Sequence, residues 1–151
     1  ALLSCIFDGL FCGVSVVNHV KNTKASVPAS VYDSAVKSEQ DRVSKLLGTA
    51  KTAGSSDPLC NPYNIGRELG VEMTEACTVV RSEARLNQCL SKLADLKSRY
   101  ARLSMNDSAG WTNQSLSYTR AVGDMLILAE AIARGALERR ESRGAHYRED
   151  Y

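Results

Sequence analysis

Residues 86–103 read LNQCLSKLADLKSRYARL. Leu86, Cys89, Leu90, Leu93, Leu96, Tyr100 and Leu103 recur at spacings of three and four, which lines them up along one side of a helix. Ser82 and Glu83 suit its start, and the pattern carries it to about Ser104. MNDSAGWTNQ, residues 105–114, is rich in turn formers and interrupts the periodicity. A second long helix is expected from about Ser115 to Glu141, with Leu116, Val122, Met125, Leu126, Ala129, Ile132, Ala133, Ala136 and Leu137 apolar. Long helices joined by so short a loop lie antiparallel. Their predicted contact runs through Leu93, Leu96, Met125, Leu126 and Ile132.

Two antiparallel helices leave apolar surface open, so a third long helix is needed, and residues 31–47 and 62–79 are the candidates. In the first, Ser30 is a cap, Val36, Val43, Leu46 and Leu47 share a side, and Gly48 is a stop signal. In the second, Asn61-Pro62 is a helix start, because proline's missing N–H costs nothing in the first turn. Ile65, Leu69, Met73, Ala76 and Cys77 are expected to face inward there. Gly66 and Gly70 each weaken that helix by roughly 1 kcal/mol relative to Ala. Residues 2–20 form a further helix, apolar nearly all round, ended by NTKASVPAS with Pro28. No segment alternates as a strand does. The expected fold is all-α: an up-and-down, three-helix, spectrin-repeat-like bundle (residues 28–151) preceded by one extra apolar helix (residues 1–22).

At 151 residues, 44% hydrophobic and 24% charged, the chain has one soluble domain's worth of sequence. A net charge of +2, with basic and acidic residues interspersed, argues against a nucleic-acid partner. The five cysteines, Cys5, Cys12, Cys60, Cys77 and Cys89, are odd in number and lack C-x-x-C spacing, which fits reduced core residues of a cytosolic protein. The opening ALLSCIFDGLFCGVSVVNHV has no basic stretch ahead of it, so a signal peptide is not expected. Asp8, Asn18, His19 and two glycines interrupt it as a membrane span, and a helix of this kind belongs in the core of a larger soluble protein.

Little in the pattern points to catalysis. Cys5, Cys12 and His19 share a helix face, but seven residues separate neighbours by about 10.5 Å along the axis. Metal ligands stand only about 2.0–2.3 Å from their ion, so no metal site is expected. His146 has no nucleophile arranged beside it and reads as a docking or capping residue rather than a catalytic one. No glycine-rich phosphate loop is present.

The last residues are more specific. AIARGALERRESRGAHYREDY resembles the C-terminal helical domain of the succinate dehydrogenase/fumarate reductase flavoprotein subunit, where a long helix ends in Ser-Arg-Gly-Ala-His followed by Arg and Asp. VVRSEARLNQCLSKLADLKSRY is similar to that family's preceding helix, entered through Arg81, and NPYNIGRELGVEMTEA to the helix before it. LLSCIFDGLFCG resembles the stretch where the flavin-binding domain ends; Ala1 stands where the family usually has Ser. The resemblance implies that this chain is a piece of a subunit that oxidises succinate to fumarate through FAD, passing electrons to an iron-sulfur subunit and quinone. It implies that the active site lies outside these residues, so that no catalytic residue and no metal ligand falls here, and that only Ala1 and Leu2 approach the flavin, through their backbone. Its implied partners are the chain's own flavin-binding domain, the iron-sulfur subunit and a membrane cytochrome b anchor. The implied location is the cytoplasm, on the inner face of the cell membrane. The tail is expected to pack back on neighbouring domains or subunits, with Arg143, His146 and Arg148 as donors, Glu149 and Asp150 as acceptors, and Gly144 permitting a tight turn. L-aspartate oxidase and adenylylsulfate reductase have a similar domain and remain alternatives, as does a free-standing helical interaction module. Alone, the chain is expected to bind no flavin and to self-associate through residues 2–20.

Overall fold

The structure is a computed structural model that describes residues 2–23, 26–49 and 57–151. It divides into two compact units, residues 1–39 and 40–151.

The first unit contains helix α1 (Leu2–Asn22) and the start of α2 (Ala29–Thr49). From Leu3 onward every described side chain of α1 is exposed, and Phe7 and Phe11 lie with ring centroids 4.4 Å apart. Among the described residues α1 is the one helix long and apolar enough to cross a membrane, by length and composition alone.

The second unit is built on a helical bundle of α3 (Pro62–Cys77), α4 (Glu83–Ala101) and α5 (Gln114–Glu138). Each helix starts where a short polar side chain accepts an otherwise unpaired first-turn N–H. Asn61 accepts from Tyr63, with Pro62 beside it; Ser82 accepts from Arg85; Asn113 accepts from Leu116. The three apolar seams meet in a core of Ile65, Leu69 and Ala76, Cys89, Leu93 and Leu96, and Val122, Leu126, Ala129 and Ala133. Gly123 is required by its neighbour, since a Cβ there would lie 2.5 Å from the Tyr100 hydroxyl, which itself donates to the Thr119 carbonyl at 2.9 Å. Arg99 is buried and holds both oxygens of Glu68, at 2.7 and 2.8 Å, while its Nε donates to the Leu59 carbonyl. That pairing holds the Glu68 carboxyl down to about 2.

The seam on α4 is the one read from its spacing, but α5 is rotated from expectation. Val122, Leu126, Ala129, Ala133 and Ala136 face the core, whereas Met125 (41% exposed) and Ile132 (51%) do not. Successive residues turn by about 100°, so the row 125, 128, 132 lies on a second apolar flank that periodicity alone does not rank below the first. Val36 is likewise exposed. The α4 helix stops at Ala101, because Leu103 and Met105 turn into a smaller cluster with Leu46. The α2 helix continues through Gly48 to Thr49. Cys60 and Cys89 are buried and Cys77 half-buried, but Cys5 and Cys12 are exposed, against the expectation that all are core residues; all five are free thiols. Finally, two short strands do occur: β1 (Val80–Arg81) and β2 (Tyr147–Arg148) pair in parallel.

Candidate functional site

The functional candidate is the folded-back segment after α5, because its polar side chains, with one from β1, meet backbone groups at the ends of α3, α4 and α5. Helix α5 closes as the Arg139 N–H donates to the Gly135 carbonyl. Arg143 and His146 then exchange backbone hydrogen bonds at 2.8 and 3.2 Å across a turn in which Gly144 has φ +63°, a conformation that favours glycine. This reversal sends β2 alongside β1: the Tyr147 N–H donates to the Val79 carbonyl and the Glu149 N–H to that of Arg81, both at 3.0 Å. The Ser142 hydroxyl clasps the strand from its other side, accepting from the Arg148 N–H at 2.9 Å.

Two side-chain relays then tie the helix ends together. In the first, Arg81 donates to the carbonyls of Cys77 and Thr78 at the end of α3, at 2.9 and 2.7 Å. Its remaining Nη1 lies 2.7 Å from Nδ1 of His146, and His146 Nε2 lies 3.0 Å from the Arg139 carbonyl. A guanidinium only donates, so Nδ1 must accept and the ring proton sits on Nε2, directed at the carbonyl. Both ring nitrogens are therefore committed, and His146 is a linker between the ends of α3 and α5.

In the second relay, the Arg148 side chain is wholly buried. Its Nη1 faces the carbonyls of Ala136, Leu137 and Arg139 at 3.0 to 3.4 Å, where the α5 dipole favours a cation. Its other two nitrogens grip Asp150 in a fork at 2.7 and 2.8 Å, and its face covers the Tyr151 ring at 4.9 Å. Asp150 in turn accepts the Glu83 N–H at the start of α4, at 2.7 Å. The guanidinium beside it holds the Asp150 carboxyl well below the usual carboxylate range. His146, Arg148 and Asp150 thus act as donors and acceptor on the bundle's own helix ends, rather than on the neighbouring domains or subunits the tail was expected to meet. Arg143 is exposed and paired with Glu141, and the Glu149 side chain points to solvent. Sequence reading missed the Ser142 clasp and the Arg81–His146 contact. Ala1 lies outside the described residues, and Leu2 is described only as the first residue of α1.

Residues 66–151, from within α3 through this whole segment, match the family described as fumarate reductase flavoprotein C-term. The chain belongs to that family. Among relatives of this flavoprotein family, the succinate dehydrogenase flavoprotein subunit of Bacillus subtilis is 36% identical over 154 residues, which is 100% of this chain and 25% of the relative. The fumarate reductase flavoprotein subunit of Haemophilus influenzae is 37% identical, over 81% of this chain and 20% of its own. The fold is similar to that in a quinol-fumarate reductase solved with menaquinol molecules (TM-score 0.72, 30% identity, 91% of this chain and 22% of that one). It is also similar to the apo Mycobacterium smegmatis Sdh1 complex (TM-score 0.68, 26% identity, 92% and 22%). The chain thus spans about a quarter of the length of the relatives it matches.

Proposed function

We propose that this chain is the C-terminal helical part of a flavoprotein subunit that interconverts succinate and fumarate, and that its own role is structural. The observation that carries this reading is the folded-back segment: this end of the stretch that matches the family is spent on helix ends, with both nitrogens of its histidine and all three guanidinium nitrogens of its buried arginine committed. FAD is the flavin of the intact subunit in this reading. The described residues do not fit it, since no glycine-rich loop leads into a helix N-terminus among them. It would be held by chain outside this sequence, with Ala1 and Leu2 at most bordering it through their backbone, and no step is routed through these residues. When bound, the flavin would supply hydride acceptance and onward electron transfer. Residues 1–22 would close the flavin-binding domain and residues 28–151 form the bundle. An iron-sulfur subunit and a membrane cytochrome b anchor are the proposed partners, at the inner face of the cell membrane.

The test compares two proteins: the 151-residue chain, expected to be colourless and inactive, and the longer subunit that carries it, expected to show a bound-flavin spectrum and dye-linked succinate oxidation. Stoichiometric flavin on the short chain, or a flavin-free longer subunit, would sink the reading.

A further inference from the structure

Helices α3 and α4 each bring a cysteine to the seam they share. Cys77 is the last residue of α3, and Cys89 lies on the inward row of α4 with Leu86 and Leu93. Cys89 is fully buried in the main core, and half-buried Cys77 packs against that same cluster. The two thiols face each other there, the Cys89 S–H donating to the Cys77 sulfur. Two arginines tie the helices at this level. Arg81 donates to the Cys77 carbonyl at 2.9 Å, and Arg85, one turn before Cys89, holds Glu72 of α3 at 2.6 Å. Neither sulfur takes part in the folded-back segment.

We propose that Cys77 and Cys89 are a redox-responsive pair, which a small disulfide such as glutathione disulfide closes into a cross-link between the end of α3 and α4. Cys77 is the attacking sulfur, because it is the more exposed of the two and has the Arg81 and Arg85 guanidiniums beside it. Its thiolate attacks one sulfur of the small disulfide, whose S–S bond breaks, and the first small thiol leaves. The Cys89 thiol then gives up its proton and attacks the Cys77 sulfur of the mixed disulfide, expelling the second small thiol. In total the two protein thiols lose two electrons and two protons, and the small disulfide gains them to become two thiols. Burial opposes both steps. It pushes the Cys77 thiol up despite the arginines, with the Glu72 carboxylate adding to the rise, and pushes Cys89 up to about 12. The pair is therefore slow to close at neutral pH and faster in base.

The deciding experiment incubates the intact subunit in its native assembly, first fully reduced, with glutathione disulfide, and maps its cysteine peptides by mass spectrometry. The expected product joins the Cys77 and Cys89 peptides directly, lighter by two hydrogens, and dithiothreitol reverses it. Its rate should rise about tenfold from pH 7 to pH 8, as the thiolate of a thiol still below its titration midpoint does. Cys89→Ala should stop the reaction at a glutathione adduct on Cys77, and Cys77→Ala should leave Cys89 unreacted. A parent protein that gives no cross-link, or gives one only in urea, overturns the proposal. So does a lasting adduct on Cys77 of the parent, or pairing of either cysteine with a different one.

Discussion

Helix α1 and the folded-back segment from Glu141 to Tyr151 reverse the usual pairing of chemistry with burial. The described apolar side chains of α1, among them Leu10 and Phe11, are exposed, while the charged segment holds the largest fully buried side chain of the described residues, Arg148. Burying an unpaired cation costs several kcal/mol or more. Arg148 is tolerated inside because three carbonyls and a bidentate carboxylate replace its water. Residue polarity therefore ranks these two regions wrongly, and the supply of matched partners ranks them correctly.

The largest effect that could break the comparison is at Arg148. Arg148→Met keeps the stem but strands Asp150 and three carbonyls, and should cost about 3–5 kcal/mol in urea unfolding. A loss below about 1 kcal/mol would mean that the buried guanidinium was dispensable, as such pairs sometimes are. As a yardstick from the apolar core, Leu93→Ala should cost about 2–5 kcal/mol by the same measurement. Leu93 is only 1% exposed, so a neutral result would refute the seam.

Acid sharpens the comparison. Glu68 titrates at about 2 in the fold against an ordinary 4.5, so its contribution is complete above about pH 4.5 and is lost as pH falls toward 2. That loss should be on the order of 1–3 kcal/mol and should vanish from the pH profile of Glu68→Gln. Asp150 moves in the same direction, its carboxyl also being depressed by its arginine. Below about pH 4 its contribution should fade, and amide exchange at Tyr147 and Glu149 should then accelerate before that of α4. Uniform acceleration across the bundle would show that the segment does not open on its own. The smallest effect belongs to α1 as a single chain leaves it, uncovered, where Leu10→Ser should change stability by less than about 0.5 kcal/mol. A larger loss would show that α1 is covered in solution, as self-association through residues 2–20 requires; sedimentation of the parent chain would show the dimer directly.

Much of the bundle was legible before the structure, for physical reasons. Ser82, Asn61 with Pro62, and the seam from Leu86 to Leu96 act within one or two helical turns, and local rules describe such effects well. The flank of α5 was not legible, because both Leu126 and Met125 belong to apolar rows and only the position of α3 and α4 selects between them. At the candidate site, the donors and acceptors of the tail could be named from charge and spacing, but not their partners. Arg81 meets His146 across 65 residues of chain, and two-residue strands carry no periodicity at all. Cys5 and Cys12 were misplaced because a small apolar residue says nothing about whether cover exists.

The Asp150–Glu83 contact has a consequence for the order of events during synthesis. It joins residues 67 apart, and its acceptor is among the last of these residues to be made. Helices α3, α4 and α5 can each form as they leave the ribosome, since their hydrogen bonds are local. The clamp between their ends cannot close until Arg148 and Asp150 have emerged. Up to that moment the end of α5 presents open carbonyls and the start of α4 an open amide to solvent. Stalling or premature release before Arg148 therefore leaves a nearly complete bundle with frayed ends, recognisable to proteases, and only the full stretch closes them.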